Sequence, residues 1–157
     1  MITAIILARA NSSRLKKKHL LKIGKYTLLE HIYLKLRLNR NITEIYLATG
    51  SKKRNLIYNK FIKSKKLKIK IFNYNKENKD EYSVVISGDC PAVDNNFINR
   101  AYKKILQKKS DFLKTDKKTL HEGIILFKNK AWKKVQQNSK NNIFQENPGY
   151  ILSVKNN

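Results

Sequence analysis

A single cysteine, Cys90, occurs in 157 residues, so no intrachain disulfide can form, and a reducing, cytoplasmic setting is expected. Long apolar runs are also missing. The opening stretch Met1–Ala8 is too short for a signal-peptide core and far below the ~20 residues of a membrane span. No later stretch is longer, so a soluble chain without a membrane span is expected. There is no Gly-x-x-x-x-Gly-Lys-Ser/Thr phosphate loop and no Gly-x-Gly-x-x-Gly dinucleotide turn. His19, His31 and His121 show no metal-ligand spacing and no Cys/His cluster exists, which excludes a zinc-type site. His31 falls on an expected helix and reads as structural or solvent-facing. Tyr and Phe are scattered rather than interleaved with basic residues in an RNA-binding pattern. With no internal repeat and no linker, the length argues for one domain over 1–157, large enough for a hydrophobic core.

Acidic residues are the other scarcity: 11 Asp+Glu face 35 Lys+Arg, for a formal net charge of +24. Such an excess points to a polyanionic partner: nucleic acid, an acidic membrane surface, or phosphate groups in a pocket. It also has a compositional reading. Of the basic residues 29 are Lys and only 6 are Arg, beside 18 Asn and 18 Ile, a set that rises together in AT-rich coding sequence. Apolar residues make up 41% of the chain, which excludes a wholly disordered basic tail.

The run Ile2–Ala8 has the look of a strand buried on both faces, as in a parallel sheet. Thr27 stands three residues before Glu30, a capping box, and Leu28, Leu29, Ile32 and Leu36 give helical spacing to about Leu38. Glu44–Thr49 reads as a second strand, residues 52–64 as a helix, and Leu67–Phe72 as a strand alternating apolar residues with Lys. Tyr82–Ile86 reads as a fourth strand and Asn95–Lys108 as an amphipathic helix. Gly123–Phe127 and Lys130–Gln137 complete the series as a short strand and a short helix. Strands separated by helices mean βαβ units, hence an α/β chain with a mostly parallel sheet flanked by helices. In such folds the working crevice lies beyond the carboxyl ends of the strands.

Two unusual segments fall at that rim. The first runs from Leu7 and Ala8 through Arg9, Asn11, Ser12, Ser13 and Arg14 to Lys18. Hydroxyls and backbone N–H groups there can donate to phosphate oxygens, Arg can bind them bidentately, and Lys adds point charge, which together make a triphosphate cradle. Any βα loop of a Lys-rich chain would carry charge, but two of the six Arg fall here five residues apart. The second segment is Ser87-Gly88-Asp89-Cys90-Pro91, a carboxylate at a strand tip. Asp89 reads either as a ligand for Mg²⁺ between it and phosphates or as an Asx-turn residue leading into the next helix. Cys90 reads as a small buried hydrophobe. Glu122, ahead of a strand, is a candidate second carboxylate for the metal.

The stretch Ile6–Lys18, with Leu20–Gly24 and Thr27–His31, resembles the N-terminus of the cytidylyltransferases of the spore-coat polysaccharide synthesis F type, relatives of CMP-KDO and CMP-sialate synthetases. Ile86–Asp94 resembles the second motif of that family. The resemblance is strong over about 1–50 and 84–106. It implies a GT-A-like, Rossmann-type fold of the nucleotide-diphospho-sugar transferase kind and a Mg²⁺-dependent transfer of CMP from CTP to an acidic sugar, with pyrophosphate leaving, in surface-polysaccharide synthesis. It implies Arg9, Ser13, Arg14 and Lys18 on the triphosphate and Asp89 on the metal, and it leaves a homodimer open as the assembly. The alternatives are a nucleotide-binding member without turnover and a basic nucleic-acid-binding module.

The departures are specific. Members usually carry Gly where Asn11 stands and Pro-Gly where Lys16-Lys17 stand, so turn chemistry is lost. An acidic loop and helix are reduced to the short Asn/Lys stretch between Phe72 and Tyr82. Ile125 stands where a later motif has a carboxylate. The substrate and dimerisation arm is expected to be mostly missing.

Overall fold

The computed structural model describes residues 1–8, 15, 17–49, 52–72, 80–114 and 124–138. Strand β1 (Ile2–Leu7) is followed by a hairpin of β2 (Lys22–Ile23) and β3 (Tyr26–Thr27), helix α1 (Leu28–Leu36) and strand β4 (Ile42–Ala48). Then come α2 (Lys52–Ser64), β5 (Lys70–Ile71), β6 (Tyr82–Ser87), α3 (Asn95–Gln107), β7 (Phe112–Lys114), β8 (Ile125–Lys128) and α4 (Asn129–Asn138). The main sheet has the order β5-β4-β1-β6-β8-β7. The pairings of β1 with β4, β1 with β6, and β4 with β5 are parallel, whereas β8 runs antiparallel to both β6 and β7. The sheet is thus mostly parallel and flanked by helices.

β1 is central because its Ile-rich run is apolar on both faces. Ile2, Ala4, Ile6 and Ala8 pack on one side with Leu29, Ile32 and Leu36 of α1, Tyr58 and Ile62 of α2, and Ile98, Ala101 and Ile105 of α3. Ile5 turns to the other side with Val85, Ile125, Phe127 and Trp132, the last from α4. The period-2 alternation of a strand thereby supplies two cores at once. α1 starts where the capping box stands: the Thr27 hydroxyl accepts from Glu30 N–H at 3.2 Å, and Glu30 Oε2 accepts from Thr27 N–H at 2.8 Å. α3 is capped by Asp94, which accepts from Asn96 N–H at 2.8 Å.

Several elements depart from the pattern. Of the expected strand Leu67–Phe72 only Lys70–Ile71 pairs, opposite Tyr46 and Leu47. The hairpin and β7 carry no long alternation and were not expected. Residue 123, expected to open a strand, lies outside the described residues, and β8 begins at Ile125. Among the described residues no helix is long and apolar enough to cross a membrane.

Candidate functional site

The chain runs outward along β1, β4 and β5, then crosses back to place β6 on the far side of β1. The strand order reverses there, and in such sheets ligands bind beyond the carboxyl ends of the strands at the reversal, here β1 and β6. Leu7 and Ser87 stand opposite each other in the register. The Gly88 N–H donates to the Leu7 carbonyl at 2.8 Å, and Ala8 N–H donates to Ala48 at 2.9 Å. A Cβ at residue 88 would lie 2.3 Å from the Leu7 carbonyl oxygen and 2.8 Å from His19 Cδ2. Only glycine lets the two strand tips close this tightly.

Asp89 projects from the tip so formed. Lys18 Nζ donates to its Oδ2 and Ser87 Oγ to its Oδ1. These two hydrogen bonds, Lys18 first, hold its carboxyl down to about 2. Its side chain is 46% exposed, so the carboxylate is open to a ligand while already paired to a cation. Lys18 opens a short 3₁₀ helix, Lys18–Leu20, entered from Lys17 in the left-handed conformation at φ 55°. That turn is secured by Leu20 N–H donating to the Lys17 carbonyl at 2.8 Å.

Beneath the pair lies His19, 2% exposed, with its ring against Gly88. His19 Nδ1 and the Tyr58 hydroxyl of α2 share a hydrogen bond of 3.0 Å. Burial lowers the imidazole to about 4, Lys18 adds to the effect, and Asp89 opposes it. Burial alone pushes Tyr58 up to about 12. A neutral imidazole and a neutral phenol therefore form the floor under the Lys18–Asp89 pair. Sequence reasoning set His19 aside for want of ligand spacing and missed Tyr58. The only local signal was the position of His19 directly after Lys18.

Of the residues singled out in the sequence, Leu7, Ala8, Lys18, Gly88 and Asp89 meet at one rim. Arg9, Asn11, Ser12, Ser13, Arg14 and Glu122 lie outside the described residues. Asp89 does not start the turn into α3: Asp94 caps that helix, and the Asp89 carboxylate turns to Lys18 and Ser87 instead. Cys90 is only partly buried, a correction to its reading as a core residue, because the turn closed by its N–H to the Ser87 carbonyl at 3.1 Å holds it at the rim.

The donor set bears on a metal. Among the described residues no cluster of three His, Cys, Asp or Glu could cage an ion. Asp89 offers ionised, accessible oxygens, and Mg²⁺ is a hard cation usually held by one or two carboxylates plus substrate phosphates. The residues present fit that mode of binding, with Asp89 as the protein's contribution.

The fold and rim can be set beside known proteins. A cytidylyltransferase from Leptospira borgpetersenii superposes with a TM-score of 0.80 at 17% identity, over 99% of this chain and 72% of that one. A CMP:2-keto-3-deoxy-manno-octonic acid synthetase complexed with CTP superposes with a TM-score of 0.70 at 13% identity, over 99% of this chain and 85% of that one. At these identities the likeness is one of fold. An uncharacterized protein of Methanocaldococcus jannaschii is 30% identical over 149 residues, 88% of this chain. This chain spans only 61% of that relative's length. The sequence pattern of the family described as cytidylyltransferase matches residues 3–156. By that match, and with a fold to agree, the chain belongs to the cytidylyltransferase family.

Proposed function

We propose that this chain transfers CMP from CTP to a hydroxyl of an acidic sugar, releasing pyrophosphate, in the assembly of a surface polysaccharide. The observation that carries this reading is the meeting of Lys18 and Asp89 at the tips of β1 and β6. A cation from the segment read as a phosphate cradle reaches a carboxylate of the type that holds Mg²⁺. In the transfer the sugar hydroxyl oxygen bonds to the α-phosphorus as its proton passes to solvent, the bond from that phosphorus to the oxygen bridging the β-phosphate breaks, and pyrophosphate leaves with that electron pair. Such a step asks the protein mainly for alignment and charge neutralisation. Mg²⁺ held by Asp89 would supply further neutralisation and would lower the pKa of the attacking hydroxyl. Lys18 neutralises Asp89 before nucleotide arrives and then turns to the phosphates. In this reading Arg9, Ser13 and Arg14 join Lys18 on the triphosphate, Leu7, Ala8, Asn11, Ser12 and Gly88 are further nucleotide-binding positions, and Glu122 is the candidate second metal ligand.

A nucleotide binder without turnover is the second reading, favoured by one observation. Ile125, at the position where the resemblance expects a carboxylate, is 8% exposed and packs with Val85, Phe127 and Trp132. A carboxylate cannot replace it there without burying charge.

Thermal unfolding with CTP and Mg²⁺, followed by a pyrophosphate-release assay with 3-deoxy-keto sugar acids, tests both. Binding at 100 times Kd should stabilise the fold by about 2.7 kcal/mol. Asp89→Asn should lower pyrophosphate release on the order of 100-fold or more while leaving the fold intact. Stabilisation without pyrophosphate from any acceptor would favour the silent binder. No stabilisation by CTP with Mg²⁺ would remove the nucleotide site altogether.

A further inference from the structure

At the opposite end of the sheet from the rim lies a second concave site. Its walls are Tyr33 and Arg37 of the α1 end, Ile42–Ile45 at the start of β4, and Lys66, Lys68 and Lys70, around a volume of about 510 Å³. The cleft exists because β5 is cut short. It pairs only with Tyr46 and Leu47, so among the described residues no strand lies beside Ile42–Ile45 on that edge.

The lining is built rather than scattered. Lys68 and Lys70 alternate with Leu67, Ile69 and Ile71 along the segment that leads through β5, and Lys66 precedes it in a left-handed turn at φ 51°. The alternation turns the apolar set inward and Lys68 and Lys70 toward the cleft, which Lys66 lines from the turn. The rail is fixed at its middle, where the Lys68 N–H donates to the hydroxyl of the buried Tyr33 at 3.2 Å. At its start the Leu67 N–H donates to the Ile62 carbonyl at 3.0 Å, closing the end of α2 over Lys66. Arg37 faces the rail from α1. The one carboxylate in the lining, Glu44, is already engaged, accepting from Lys70 Nζ and from the Tyr46 hydroxyl at 2.6 Å. Four cations against one neutralised carboxylate, in a concavity with Tyr33, Ile42 and Ile45 as apolar wall, focus positive potential where a planar fork and two ammonium groups can converge.

We propose that this cleft is a binding site for a small phosphorylated molecule: a phosphoryl group on Arg37, Lys66 and Lys68, with its organic part against Tyr33 and Ile42. The volume suits a nucleotide or a sugar phosphate, and both present the same phosphoryl chemistry. The site is separate from the Asp89 rim and does not rest on the transfer reaction proposed above.

The test follows backbone amide shifts by NMR while titrating inorganic pyrophosphate, CMP and a hexose phosphate without divalent metal at physiological salt. Saturable shifts should concentrate on Arg37, Thr43–Ile45 and Lys66–Lys70. The double variant Arg37→Ala/Lys68→Ala, at two exposed positions, should weaken that binding at least roughly tenfold and leave CTP–Mg²⁺ stabilisation unchanged. Stronger saturation by CMP than by the hexose phosphate identifies the nucleotide as the source, and the reverse identifies the sugar. Linear shifts spread over all surface lysines, or saturable shifts only at Leu7–Ala8 and Ser87–Cys90, overturn the proposal. So does a single-stranded RNA oligomer that binds these residues more tightly than any of the small molecules, since the cleft would then be part of a nucleic-acid surface.

Discussion

His19 is the residue on which the rim rests, and its environment makes it sensitive to acid. It is enclosed by Gly88, the Tyr58 hydroxyl, the Lys18 ammonium and the Asp89 carboxylate. Only the last of these would welcome a proton on the ring. In the unfolded chain the imidazole protonates near 6.5, but in the fold only near 4. Between those values the unfolded state binds more protons, so stability rises with pH across the window and is complete above it. Falling pH removes this contribution, on the order of 3 kcal/mol by pH 4. Urea midpoints measured from pH 4 to 7 should therefore climb steeply in the native protein. They should climb less in His19→Gln, which retains a polar side chain without a titration in that range. Equal slopes in the two proteins would show that the acid sensitivity arises elsewhere.

At the scale of elements, the turn into the 3₁₀ helix shows what the scarcity of glycine costs. Lys17 stands where the resemblance places the Gly of a Pro-Gly pair, and it is left-handed at φ 55°. Lys66 at 51° and Lys109 at 50° do the same after α2 and α3. A lysine in that conformation is strained by roughly 1–2 kcal/mol relative to its preferred region. Part of that is lost again on substitution to glycine, because glycine has more freedom in the unfolded chain. Lys17→Gly should raise stability by about 0.5–1 kcal/mol in denaturant titration. A loss would mean that the Lys17 side chain makes contributions that outweigh its backbone strain. The turn itself was legible only as lost Pro-Gly chemistry. β1, β4, β6, α1 and α3 were legible because each carries a long apolar run, a helical period or a capping box. β7 and the hairpin were not, since two or three residues cannot display a period. β5 shows the limit of pattern: Leu67–Phe72 alternates as a strand should, yet only the stretch that finds a partner in β4 pairs. The candidate site was legible as two segments at one rim, because topology places strand ends together. The contact of Lys18 with Asp89 and the His19–Tyr58 floor were not. They join residues 71 and 39 positions apart that no local spacing relates.

For the whole molecule, charge divides into a placed set and a coat. The ion pairs among the described residues (Lys18–Asp89, Lys65–Glu30, Lys70–Glu44 and Lys128–Glu81) each engage a scarce carboxylate. With 35 Lys+Arg and 11 Asp+Glu, most cations have no carboxylate to meet. Folding gathers them, so the compact state bears more self-repulsion than the unfolded one. Screening should relieve this as the Debye length falls from ~30 Å at 0.01 M salt to ~8 Å at 0.15 M. Sodium chloride should thus raise Tm by a few degrees, for a gain on the order of 1 kcal/mol. A fall in Tm would mean that the pairs outweigh the coat. Sodium phosphate at matched ionic strength separates the two kinds of charge. Screening acts alike in both salts, whereas a bound anion adds stabilisation that grows with its concentration. The excess Tm in phosphate should shrink in Arg37→Ala/Lys68→Ala if the cleft holds the anion, and the shared rise in chloride should persist. An excess unchanged in that variant would assign it to another site, such as the Lys18 rim, or to exclusion of phosphate from the protein surface, and not to the cleft.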